Sequence, residues 1–189
     1  MSISCWSPDV FKRAWDFATQ AHARQTYGSP IPGQRIPYLN HVGNVAMEVI
    51  WALTLTPIDF NGDLAIQCAL LHDVIEDTPH TYAELAVQFG PAVADGVQAL
   101  TKDETLPTKA AQMQDSLRRI LQQPREVWLV KLGDRITNLA EPPHYWQREK
   151  RQAYRSEAEQ IHAALYRAHG PLAERLWQKI QDYGQFIDR

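Results

Sequence analysis

The sequence predicts an all-α fold, an irregular multi-helix bundle forming one domain over residues 1–189. Three observations carry that expectation. Apolar residues recur at helical spacing through nearly every segment, no run alternates as a half-buried strand would, and proline and glycine collect between the periodic stretches. The chain has 189 residues with hydrophobic residues at 44%, enough to bury a core without disulfides. No heptad pattern persists, which excludes a coiled coil, and no repeat or low-complexity tract divides the chain.

Each element can be justified in order. Ser7-Pro8 opens the first helix with a cap residue and a proline at the first helical position. Val10, Phe11, Ala14, Phe17, Ala18 and Ala21 share its face, and it should end near Gln25. A loop follows, because Gly28, Pro30, Pro32, Gly33 and Pro37 fall within it and both residue types disfavour a helix. The second helix starts near Tyr38 and carries Val42, Val45, Ala46, Val49, Ile50 and Leu53 towards Pro57. The third starts near Asp63 and runs through Leu64, Ala65, Cys68 and Leu71 into His72-Asp73, with Ile75 on the same helix. Thr81-Tyr-Ala-Glu84 reads as a capping box, and Gly90 stops the short helix that it opens. Further helices are expected over Pro91–Leu100, Lys109–Gln122, Pro124–Leu139, Tyr145–His169 and Pro171–Phe186, with a surface loop at Thr101–Thr108.

Composition narrows the function. A formal net charge of -3 is not that of a general nucleic-acid binder, although local basic residues can still receive a small anion. Cys5 and Cys68 are the two cysteines, which fits a reducing cytoplasm. Met1–Pro8 lacks a basic segment followed by a long apolar run, and no apolar stretch approaches a membrane span. A cytoplasmic protein without membrane or nucleic-acid partners is expected, with its oligomeric state open.

The chemistry concentrates in Leu70-Leu-His-Asp-Val-Ile-Glu-Asp-Thr78. His72 and Glu76 are four apart, as are Asp73 and Asp77, so on one helix both pairs project from neighbouring strips. Four such groups beside a core are costly unless a metal or substrate satisfies them. Glu76 and Asp77 could instead occupy a solvated helix end. The adjacent His72-Asp73, behind Leu70 and Leu71, favours a metal site, and imidazole with carboxylate suits Mn, Fe or Zn. His41, at the start of a helix after Tyr38-Leu-Asn, and Asp134 are the candidate further donors, although a lone histidine in such a place is more often structural. Asp134 lies among Val127, Val130, Leu132 and Leu139, where a carboxylate needs a cation; Arg135 could supply that charge instead. Asn138 follows one turn later on the same face.

His41, then His72-Asp73, then Asp134, in that order, resembles the HD phosphohydrolase superfamily. More narrowly, the chain resembles RelA/SpoT-type alarmone enzymes and their short stand-alone hydrolases, the metazoan SpoT homologue among them. The matching stretches are Ala21-His-Ala-Arg-Gln25, Pro37-Tyr-Leu-Asn-His41, Ala69–Thr78, Phe89-Gly90, Leu100-Thr-Lys102 and Lys131-Leu-Gly-Asp-Arg-Ile-Thr-Asn138. The resemblance implies an HD-type helical bundle and one divalent metal, usually Mn2+ with Fe, Zn, Co or Mg open, on His41, His72, Asp73 and Asp134. Glu76 and Asp77 would be the catalytic acid/base pair. Asn138 would contact the nucleotide, and Arg135 or Lys131 would support the phosphates. The implied reaction removes the 3′-pyrophosphate from a ppGpp- or ppApp-type nucleotide.

The match departs from the family where an Arg-Lys pair normally follows Ala-His-x-x-Gln. Here that place reads Thr26-Tyr27-Gly28, so Arg24 or Arg35 is the candidate replacement. Lys102 and Lys109 are candidate phosphate contacts, and each is equally a solvated loop lysine. Tyr154 could stack on a base or simply fill the core. His22 reads as a support for the fold. Two other functions stay in view, a phosphatase acting on another nucleotide such as NADPH and a nucleotide-binding regulatory module without turnover. Retention of Glu76 and Asp77 argues against the second.

Overall fold

The computed structural model describes residues 6–56 and 59–188; Cys5 and Pro57 lie outside them. Ten α-helices account for most of the described residues. Ser7 caps α1 (Pro8–Ala21), accepting from the Asp9 amide, with Pro8 at the first helical position. A short hairpin, β1 (Thr26–Gly28) and β2 (Arg35–Pro37), leads directly into α2 (Tyr38–Leu55). Next come α3 (Gly62–Leu71), α4 (Val74–Asp77) and α5 (Tyr82–Phe89), the last opened by the Thr81–Glu84 capping box and closed at Gly90, whose φ is 90°. They are followed by α6 (Pro91–Leu100), α7 (Lys109–Ile120), α8 (Arg125–Asn138), α9 (Arg148–Leu165) and α10 (Gly170–Tyr183). No helix among the described residues is long and apolar enough to cross a membrane.

The core is organised around α3. Leu64, Ala65, Ile66, Cys68, Ala69, Leu70 and Leu71 are all buried there, as expected of a helix apolar on every side. It packs against α1, α2, α6 and α8. Contact with α6 and α8 is close because residue 96 is glycine. A Cβ there would lie 2.7 Å from Cys68 Sγ and 2.9 Å from a Val127 methyl. In α8, Val127 and every residue from Leu129 to Ile136 are buried, and this places Asp134 inside the molecule.

Besides the ninth helix, which spans Arg148–Leu165 rather than Tyr145–His169, three expectations need correction. The first helix ends at Ala21 rather than near Gln25, because His22 caps it and Arg24 turns the chain with φ at 72°. The following segment is not loop throughout, since Tyr27 pairs with Ile36 in an antiparallel register. Three-residue strands are too short for a period of two to declare itself. Lastly, His72 to Asp77 is not one helix. The chain breaks at Asp73, with φ −102° and ψ 3°, and the His72 ring bonds back to the Ala69 carbonyl at 2.8 Å.

Candidate metal centre

Two helices and one turn converge on a small volume. The first turn of α2 supplies His41, the break after α3 supplies His72 and Asp73, and the buried stretch of α8 supplies Asp134. His41 Nε2 lies 3.1 Å from His72 Nε2, 3.5 Å from Asp134 Oδ1 and 3.7 Å from Asp73 Oδ2. His72 Nε2 lies 2.9 Å from Asp73 Oδ2. Ligand atoms of His41, His72 and Asp134 all fall within 4.8 Å of one another, and Asp73 joins them through both imidazoles.

The donor set fits a divalent ion. A carbonyl only accepts, so the His72–Ala69 bond puts that ring's proton on Nδ1 and leaves a lone pair on Nε2 when the ring is neutral. That lone pair faces a second imidazole nitrogen and a carboxylate, an arrangement that a shared proton or a metal ion reconciles. An edge of 3.1 Å is what two adjacent nitrogen ligands span when each bond is about 2.0–2.1 Å and the angle is roughly a right angle. Burial disfavours charge on His72, yet Asp73 and Asp134 outweigh it and push its pKa up to about 9. A site that attracts a proton this strongly exchanges it for a metal as pH rises. Burial likewise opposes ionisation of Asp73 and Asp134, but the two imidazoles hold Asp73 well below the carboxylate range, and Lys131, His72 and His41 lower Asp134.

Neighbouring side chains orient the carboxylates. The Tyr38 hydroxyl donates to Asp73 Oδ2; burial, then the Asp73 charge, raise its pKa and keep it protonated. Asn138 Nδ2 donates to Asp134 Oδ1 at 2.6 Å, and Lys131 Nζ to Asp134 Oδ2 at 3.3 Å. Asn138 and Lys131, candidates for nucleotide and phosphate contacts, are therefore engaged with the Asp134 carboxylate. Arg135 turns from the centre altogether. Its guanidinium reaches Glu157 at 3.3 Å and lies 4.2 Å over the Tyr154 ring. Arg135 neither neutralises Asp134 nor faces the cluster, and Tyr154 packs on Arg135 and Trp146.

The acid pair diverges. Asp77 sits at the rim of a cavity of about 400 Å³ lined also by Gln25, Thr26, Arg35 and Tyr38. Loss of water around its carboxyl, then the nearby Asp73 charge, raise its pKa. Glu76 pairs instead with Lys102, whose Nζ lies 2.6 Å from its Oε1. Lys102, a candidate phosphate contact, is thus engaged with a carboxylate, and Lys109, the other candidate, reaches Gln112 at 3.3 Å. Of the two candidate arginines, Arg35 on β2 lines the cavity, and Arg24, in the turn before β1, is exposed outside that lining. Arg35 is braced by Thr26, through Nε to Oγ1 at 3.1 Å and Nη2 to the carbonyl at 2.8 Å. Sequence reasoning assigned no role to two residues of the site. Tyr38 could have been found from its place three before His41 on one helical face. Gln25, which bonds His22 at 2.7 Å and the Asp77 carbonyl at 2.7 Å, is marked only by its place in the Ala21-His-Ala-Arg-Gln25 stretch.

Imidazoles and carboxylates gathered in this order inside a helical bundle define a metal-dependent hydrolase of the HD class. The HD domain model matches residues 14–172, and the chain belongs to the HD-domain family, alongside the stand-alone 3′-pyrophosphohydrolases. It is 31% identical over 186 residues to guanosine-3′,5′-bis(diphosphate) 3′-pyrophosphohydrolase MESH1 of Danio rerio, covering 96% of this chain and 98% of that protein. The Homo sapiens MESH1 is 32% identical, covering 92% and 94%. A solved structure of a metazoan SpoT orthologue that hydrolyses ppGpp superposes with a TM-score of 0.78 at 26% identity, over 95% of this chain and 98% of that one.

Proposed function

We propose that this chain hydrolyses ppGpp to GDP and pyrophosphate, using one divalent metal on His41, His72, Asp73 and Asp134. The observation that carries the reading is the meeting of these four side chains beside Asp77 and the Arg35-lined cavity. Manganese is the ion we assign, and the cytoplasm the compartment. The bound ion supplies Lewis acidity toward a phosphoryl oxygen and the attacking water.

The chain's own groups do the rest. Water adds at the phosphorus next to the 3′ oxygen, that P–O bond breaks, and the 3′ oxygen leaves with a proton. Glu76 and Asp77 handle the two protons: Glu76 accepts one from water, and Asp77, whose pKa is raised, returns one to the leaving oxygen. Arg35 offers the positive charge that the Thr26-Tyr27-Gly28 segment lacks, from the returning strand of the hairpin rather than the outgoing one. Tyr38 and Asn138 keep Asp73 and Asp134 aimed at the ion, the kind of support on which ligand geometry depends.

Incubation of the purified chain with Mn2+ and, separately, ppGpp, ppApp and NADPH tests the reading. Pyrophosphate release from ppGpp is expected. Phosphate release from NADPH alone would replace it with a 2′-phosphatase, and binding of nucleotide without turnover would make the chain a sensor.

A further inference from the structure

Glu76 is gripped at both oxygens by one residue 26 positions away. Lys102 Nζ lies 2.6 Å from Oε1, and the Lys102 backbone N–H donates to Oε2 at 2.9 Å. The peptide unit that supplies this N–H is held from its other side as well. Its carbonyl, belonging to Thr101, accepts from Arg119 Nη2 at 2.7 Å. Arg119 in turn bonds the carbonyls of Gln98 at 2.6 Å and Ala99 at 3.0 Å, and its Nε reaches Asp115 Oδ2 at 2.7 Å. A continuous series therefore runs from Asp115 and Arg119 on α7, across the end of α6, to the carboxylate on α4.

The geometry points to Lys102 as a positioning residue that fixes Glu76 for proton transfer, with Arg119 holding the Thr101–Lys102 peptide that completes the grip. Glu76 lies on a helix of four residues, which cannot confine a side chain with several free torsions. Contact at both oxygens confines it. Burial works against a charged Lys102, but Glu76, and then Asp134 and Asp73, more than offset that cost, so the ammonium persists. Arg119 alone could be read as a cap for the last carbonyls of α6. That reading leaves the grip on Glu76 unexplained, because Lys102 makes no hydrogen bond to α6.

The inference rests on the proposed hydrolase reading, and a double-mutant cycle separates the two. Lys102→Met, Glu76→Gln and the double variant are assayed on ppGpp with Mn2+, with metal content and thermal unfolding measured alongside. If Lys102 acts through Glu76, Lys102→Met lowers kcat roughly tenfold to hundredfold, the scale of a charge-assisted bond. KM then stays near wild type, Lys102→Arg recovers part of the loss, and the double variant is no slower than Glu76→Gln. Losses that multiply, or a raised KM with kcat intact, would mean that Lys102 meets the substrate, and the inference fails. Heteronuclear NMR of the lysine ammonium groups in the substrate-free chain gives a readout independent of turnover. A slowly exchanging Lys102 signal lost in Glu76→Gln is expected, and its absence from the wild type overturns the contact. A wild-type chain inert toward ppGpp removes the hydrolase reading and this inference with it, whereas multiplicative losses in an active enzyme remove this inference alone.

Discussion

Asp134 uses both of its carboxylate oxygens within the protein, one toward Asn138 at 2.6 Å and one toward Lys131 at 3.3 Å. A carboxylate restrained in this way presents its remaining lone pairs in one direction, so on the proposed metal assignment Asn138 would contribute to ion affinity without touching the ion. Asn138→Ala should weaken Mn2+ binding by about 10–100-fold, the usual effect of losing an outer partner, with the helical circular dichroism unchanged. Calorimetric titration gives the answer, and wild-type affinity in the variant would show that Asp134 needs no such support. Arg35 acts on a different quantity. It lines the cavity beside Asp77 with its guanidinium braced by Thr26, so in the proposed reaction its charge would meet a bound phosphate in the ground and transition states alike. Uniform binding of that kind appears in KM. Arg35→Met should raise KM roughly tenfold, the loss of one charge-assisted contact, and leave kcat within about twofold. A fall in kcat at constant KM would place Arg35 in the chemical step instead.

At the scale of elements, the close approach of α6 to α3 and α8 depends on Gly96, where an added Cβ would meet Cys68 Sγ at 2.7 Å. Gly96→Ala should destabilise by about 1–3 kcal/mol through overpacking, lowering Tm by some 2–4 °C per kcal/mol in a chain of this size. Calorimetry measures it. A second element depends on pH. His169 caps α10 by accepting from the Leu172 amide at 3.1 Å, so its Nδ1 must be unprotonated, and burial followed by the Arg125 charge lowers its pKa. As pH falls below the unfolded value of 6.5, the unfolded chain takes up this proton before the folded one. Stability therefore drops as pH falls through that window and is fully present above it. His169→Asn keeps an acceptor without a titration, and urea unfolding at several pH values should give a flatter profile for it than for wild type. Parallel profiles would refute this role. These elements differ in how readily the sequence reveals them. Pro91 and the apolar spacing after it mark α6 from end to end, and Thr81 with Glu84 marks the start of α5. His41 and Asp134 stand out as polar groups on apolar helices. The break at Asp73 does not, because His72 and Asp73 fit helical spacing and the interruption involves a ring bonding its own backbone at Ala69. Nor does the Glu76–Lys102 pair, whose partners lie 26 residues apart with no periodic relation. Short-range patterns locate side chains on elements, while the contacts between elements arise only in the assembled bundle.

For the molecule as a whole, the candidate metal centre joins parts of the chain that are distant in sequence. His41 lies in the first turn of α2, His72 and Asp73 follow the end of α3, and Asp134 lies in α8, three helices packed on one another. Without an ion, this junction holds two carboxylates and two imidazoles whose charges must be balanced by protons, as the raised His72 pKa reflects. An ion bound by the folded chain and not by the unfolded one stabilises the former by about 2.7 kcal/mol when its concentration is 100 times Kd. Chelation of the metal-loaded protein should therefore lower Tm by roughly 5–10 °C, and adding Mn2+ should restore it. The control is His41→Ala, which removes one ligand at the start of α2 and should make Tm insensitive to both chelator and metal. His41 is almost fully buried at 6% exposure, so the variant also loses some packing, but that loss is the same with or without the ion. The difference between the two shifts isolates the ion's contribution. If wild type and His41→Ala respond alike to chelation, the stabilising ion lies elsewhere, and the assignment of these four ligands fails with it.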